Sequence, residues 1–193
     1  MPTMKQHREN LKKMILSMND ESKIKFGAWS CFPFTKDPSI GSFFNRMSKN
    51  DTSSELNHII NQAWAGKLDL PLSKKYFDDI NAIDWDVDAL PEAEEAHQQG
   101  AADFLAALSF LMKSVFDASK DEHLLGCAEN LINRIDYLAD FADDDDLSES
   151  MEKLSEQEFR NQIDMAEDLV NTKVTEITSR HSELIAAFES NPV

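Results

Sequence analysis

Cysteine, glycine, proline and basic charge are all scarce in this chain. Its 193 residues hold two cysteines, five glycines, six prolines and 19 Lys/Arg against 36 Asp/Glu. Cys31 and Cys127 are too few and too far apart for a disulfide framework or a close metal or redox spacing, and a reducing, cytoplasmic setting is the simpler expectation. Residues 1–18 lack the apolar core of a secretory signal, and no stretch approaches about 18 uncharged apolar residues, so no membrane association is expected. Period-two alternation and Asn-Gly or Asp-Gly turns are missing, which argues against strands. No G-x-S-x-G, Walker A or G-x-G-x-x-G string occurs, so hydrolase and nucleotide-binding readings have no local warrant and no enzyme is expected.

What is present is apolar and acidic. Hydrophobic residues make up 41 %, with 12 Phe and 3 Trp, enough for a folded core. The net charge of -17 is unevenly spread: residues 1–75 carry 12 Lys/Arg against 7 Asp/Glu, and residues 76–193 carry 7 against 29. An acidic block of that size repels phosphates, which disfavours direct nucleic-acid binding and favours a basic protein surface.

The apolar spacing is helical throughout. Leu11, Met14, Ile15 and Met18 define a first helix, and Asn19 or Asp20 caps a second holding Ile24, Phe26, Ala28 and Trp29, stopped by Pro33. Asp37-Pro38 opens a third, with Ile40, Phe43, Phe44 and Met47 inward. Thr52-x-x-Glu55 has capping-box spacing for a fourth, ended by Gly66. Residues 68–91 are the least regular, with a short helix over 73–80. A long helix carries Phe104, Leu105, Leu108, Leu111, Met112 and Val115. Ser119-x-x-Glu122 opens the next, with Leu124, Leu131, Ile135, Leu138 and Phe141. The tail, with neither Gly nor Pro between Gly126 and Pro192, predicts one closing helix from Ser155-x-x-Glu158 to Phe188. The expected architecture is an all-α single domain, residues 1–193, of seven or eight helices, with an acidic loop at 143–150 before the long C-terminal helix.

Two patterns resemble metal sites. Asp84, Asp86, Asp88 and Glu95 match the first, third, fifth and twelfth positions of a calcium loop, but Ala89 stands where the loop needs glycine. Glu55/His58 and Glu94/His97 have the Glu-x-x-His spacing of a di-iron bundle, with only Asp103 or Glu129 as a further carboxylate. The plainer expectation is solvated acids and no cofactor, with a metal-binding bundle ranked third among functions.

Phe26 and Ala28 in one helix, Pro38 with Phe43 five residues later, and Trp64 closing the next helix resemble the N-terminal half of the YjaG-like bacterial proteins. Ala101-Ala102-Asp103 followed by Ala106, Ala107 and Leu108 resembles that family's central helix. Glu158-Phe159-Arg160-Asn161-Gln162 is similar to the Glu-aromatic-x-x-Gln start of its last helix. The resemblance implies an all-helical cytoplasmic domain, and no activity, because the family has none assigned.

Acids interleaved with aromatics have the composition of a face for Arg and Lys. The expected face is Asp84, Trp85, Asp86, Asp88, Glu92, Tyr137, Asp140, Phe141, Asp143, Asp144, Asp145 and Asp146. Its expected partner is a basic protein, a toxin or nuclease domain, which makes the chain an immunity or inhibitor protein. The alternative is a housekeeping helical protein, homodimeric in one version, whose acidity serves solubility.

Overall fold

The computed structural model describes residues 3–47, 51–83, 95–140 and 145–190, with backbone alone at 145 and 146. Among them the protein is all-helical, with no strand and nine α-helices rather than seven or eight. These are α1 (Met4–Ser17), α2 (Asp20–Cys31), α3 (Pro38–Met47), α4 (Thr52–Trp64), α5 (Leu70–Asn81), α6 (Glu95–Phe116), α7 (Lys120–Asp140), α8 (Asp145–Val170) and α9 (Ser182–Ser190). A 3₁₀ turn, Phe32–Lys36, follows α2 with Pro33 inside it.

Local chemistry sets most of the helix starts. Asn19 caps α2 through Ser22 N–H, and the buried Asp37 carboxylate accepts from Ser39 N–H at 3.0 Å ahead of Pro38. Gly66, at φ +67°, ends α4 in the left-handed conformation that a residue without Cβ adopts freely. Other caps differ from the sequence reading. Asp51, not Thr52, caps α4. Asp69 caps an α5 that is longer than 73–80, with Pro71 in its first turn. Thr3 and Gln6 form a reciprocal capping box on α1.

Two expectations at the C-terminal end are overturned. Helix α8 begins at Asp145, so most of the stretch read as an acidic loop at 143–150 is helical. The closing helix is not continuous either: α8 ends at Val170, and residues 171–181 turn the chain before α9. Ser155 and Glu158 therefore lie inside α8 and cap nothing. The Ser155 hydroxyl donates to Asp136 at 2.7 Å, and Glu158 faces His181 in the interior.

Helices α6 and α7 form the central pair. The Cys127 thiol donates to the Ala107 carbonyl at 3.3 Å, and Arg134 to the Ala96 carbonyl at 2.9 Å, so the two run antiparallel. Gln162 donating to the Ala128 carbonyl at 3.1 Å, with Ser155 on Asp136, makes α8 antiparallel to α7. One apolar cluster gathers Phe34, Phe43, Phe44, Leu108 and Leu111, and a second gathers Leu11, Ile15, Phe26, Trp29 and Leu124, all nearly inaccessible to solvent. Burying each such side chain contributes about 1.5–3 kcal/mol. Cys31 and Cys127 are free and buried, and burial pushes the Cys31 thiol well up, so neither has the profile of a nucleophile.

Polar groups in the interior are tied down. Arg134, 0 % exposed, donates twice to Asp37 Oδ2 (3.0 and 2.8 Å) and once to Ser39 Oγ (3.0 Å). Gly100 makes room for it: a Cβ there would stand 2.7 Å from Arg134 Cζ. The His181 ring stacks on Trp29 with centroids 3.9 Å apart, and Trp29 Nε1 donates to the Ser179 carbonyl at 2.8 Å. These contacts fasten the α8–α9 connection to α2.

Candidate partner-binding face

The antiparallel register brings the first turn of α6, the last turn of α7 and the first turn of α8 to one end of the molecule. Glu95 and Asp140 are exposed there, without an ion-pair partner among the described residues, and Asp136 accepts from Ser155. Tyr137 is half-buried and feels the charges of Glu95, Arg134 and Asp103. Desolvation pushes its hydroxyl pKa up, and the negative charges of Glu95 and Asp103 add to that. Burial likewise raises the Asp103 carboxyl, against the hydrogen bond from Gln99 and the charge of Arg134.

Of the twelve residues expected to form the face, Tyr137 and Asp140 are placed here together. Asp145 and Asp146 lie in the first turn of α8, side chains outside the description. Asp84, Trp85, Asp86, Asp88, Glu92, Phe141, Asp143 and Asp144 lie outside the described residues.

At the opposite end of α7 the acids are neutralised. Arg8 reaches Glu122 (2.7 Å) and Glu129, Lys12 reaches Glu122, and Lys23 meets Asp121 at 2.7 Å. The hydrogen bond from Lys12 leads in holding the Glu122 carboxyl below its ordinary value. Three of the 12 N-terminal cations, Arg8, Lys12 and Lys23, are thus spent on a seam between α1, α2 and α7. Three acids of the second half are paired at that seam, whereas Glu95 and Asp140, like the exposed Asp78, Glu152, Glu167, Glu183 and Glu189 elsewhere, have no ion-pair partner among the described residues.

The metal patterns do not assemble among the described residues. Glu55 and His58 are exposed on α4, Asp103 is bonded to Gln99 and Glu129 to Arg8. No group of three or more His, Cys, Asp or Glu there could hold a metal ion. Glu94, and all of the calcium set except Glu95, fall outside the described residues. No described helix is long and apolar enough to cross a membrane.

One feature was absent from the sequence reading, a cleft of about 930 Å³ between α4 and α5. Helix α4 rests on α2 and α5 on α6, with no comparable packing between α4 and α5 themselves. Phe44, Leu56, Ile59 and Ile80 form the apolar floor, and Asp51, Glu55, Lys75 and Asp79 stand around it. The Asp69-Leu70-Pro71 start of α5 was the signal available in the sequence, since a cap followed by Pro marks a helix that the irregular spacing of 68–91 obscures.

No family model, curated protein or solved structure matches the chain.

Proposed function

We propose that the protein is a non-enzymatic acidic binding protein, a single-domain helical bundle that neutralises a basic toxin such as a nuclease by occluding its active site. The observation that carries this reading is the contrast between the two ends of α7: cations satisfy Asp121, Glu122 and Glu129, and none among the described residues reaches Glu95 or Asp140. A nuclease site is cationic because it holds phosphate, so a rigid carboxylate array presents the same charge to it and blocks access. Tyr137 supplies an aromatic anchor among the acids, the kind of group that dominates binding energy when desolvated. The α6–α7–α8 packing supplies rigidity, which lowers the entropy lost on association. Such a partner is met in the cytoplasm, and the likeness to the YjaG-like proteins is carried forward as part of the same proposal.

The test replaces the four aspartates 143–146 by asparagine and measures association with a cationic nuclease domain found by pull-down from the native organism. Association slows about tenfold or more at low salt and loses its steep salt dependence, as expected when steering charge is removed. Unchanged kinetics would reject this face and leave the alternative, a housekeeping protein whose acidity serves solubility.

A further inference from the structure

We infer that the cleft between α4 and α5 is a docking groove for a basic amphipathic helix contributed by a partner protein. The inference deepens the reading above and rests on it for the existence of a basic partner, whereas the groove's affinity for a helix of that chemistry stands on the cleft alone. Three observations carry it.

The first is shape. Two helices that pack against the rest of the molecule but not against each other leave a slot of about 930 Å³. A cleft flanked by the start of α4 and the second half of α5 can take a helix of a partner, the mode in which apolar anchors at successive turns enter a groove. The second is the floor. Phe44, Leu56, Ile59 and Ile80 are almost wholly buried, while Met47 and Ile83 at the edges pack against the core and keep part of their surface exposed toward the slot. The third is charge. Among the described residues Asp51, Glu55 and Asp79 line the slot with one ammonium, Lys75, which is already bonded to Asp79 at 2.7 Å. Glu55 has no ion-pair partner among the described residues, and its charge acts on Lys75. The lining is therefore net negative, so an occupant needs Lys or Arg beside its apolar stripe.

The groove also lies toward the acidic end. Arg46 in the last turn of α3 comes within 3.4 Å of His97 in the first turn of α6, and Met47, next in sequence, lines the slot. A single basic partner can thus engage both features.

The probe is a synthetic helical peptide of five turns, about 18 residues, with a leucine stripe and flanking lysines. Its counterpart keeps the stripe and replaces every lysine by glutamate. Isothermal titration at physiological salt measures affinity, and hydrogen exchange maps the footprint. The lysine peptide binds and protects α4 and α5, and the glutamate peptide binds at least tenfold more weakly. Met47→Gln with Ile83→Gln weakens the lysine peptide about tenfold at a temperature where the variant remains folded, and Glu55→Gln weakens it about threefold and reduces its salt dependence. Replacing the aspartates 143–146 by asparagine leaves its affinity within about twofold, which separates failure of this groove from failure of the acidic-end reading. Equal binding of both peptides, a footprint on other helices, or Met47→Gln/Ile83→Gln binding as well as wild type would overturn the proposal. So would the absence of any binding of the lysine peptide by wild type.

Discussion

His7 shows how one buried ring makes stability depend on pH. Gln162 uses its amide nitrogen on the Ala128 carbonyl, so its oxygen accepts from His7 Nε2–H at 2.8 Å, and this fixes the neutral tautomer of the ring. Burial lowers the His7 pKa, and its bond to Gln162 and the charges of Glu158 and Glu129 only partly oppose that. The unfolded chain then binds the proton more readily than the folded one. Stability from this group is complete above the unfolded pKa of about 6.5 and is lost as pH falls through the window below it, at about 1.4 kcal/mol for each unit of lowering. Denaturant midpoints of wild type are expected to fall between neutral and mildly acidic pH more steeply than those of His7→Gln; parallel profiles would show that another group titrates. Arg134 teaches a different lesson. Leu131, Ile135 and Leu138 place position 134 on the same helical stripe, so its burial was readable from spacing. Its partner was not, because Asp37 lies 97 residues away and already had a role as a helix cap.

The break between α8 and α9 was hidden in the sequence for a physical reason. Neither Gly nor Pro marks it, and the apolar spacing of Leu169, Val170, Val174 and Ile177 reads as an unbroken helix. In the structure Val174 and Ile177 are half-buried outside any helix, and Thr172 and Arg180 take positive φ values of 55° and 71°. Tertiary contacts hold this turn in place of local propensity. Arg180 bonds Asp164 at 2.9 Å and Asp168 at 2.6 Å, and His181 is stacked beneath on Trp29. A β-branched residue in the left-handed region costs about 1–2 kcal/mol. Glycine removes that strain but loses more entropy on folding, about 0.5–1 kcal/mol. Thr172→Gly is therefore expected to stabilise the protein by about 0.5–1 kcal/mol, read as a higher urea midpoint at unchanged slope. A lower midpoint would mean that the strain is not local to this residue. By contrast α2, α3 and α4 were legible, because Asn19, Asp37-Pro38 and Gly66 act within one turn of where they stand in the chain. The α4–α5 cleft was not, since it is made by two helices failing to meet.

The sequence shows how much charge there is, and only the fold shows where it is answered. The excess of cations in residues 1–75 suggested a segregated molecule, yet Arg8, Lys12 and Lys23 fold back onto α7, and the basic segment neutralises part of the acidic one. Two effects of added salt then compete. Screening weakens these half-exposed pairs, each contributing about 0–1 kcal/mol. It also weakens the mutual repulsion of a molecule with net charge -17, which includes four consecutive aspartates at 143–146. The Debye length falls from about 30 Å at 0.01 M to about 10 Å at 0.1 M, so long-range repulsion is lost first while contact pairs near 2.7 Å are barely affected. Repulsion therefore decides the sign. The thermal midpoint is expected to rise by about 2–4 °C over that range of salt, corresponding to roughly 1 kcal/mol for a chain of this size. With the aspartates 143–146 replaced by asparagine, the midpoint at low salt starts higher and the rise shrinks. A midpoint that falls with salt would show instead that the seam of ion pairs between α1, α2 and α7 outweighs the repulsion, and that the acidity is a structural device more than an exposed surface.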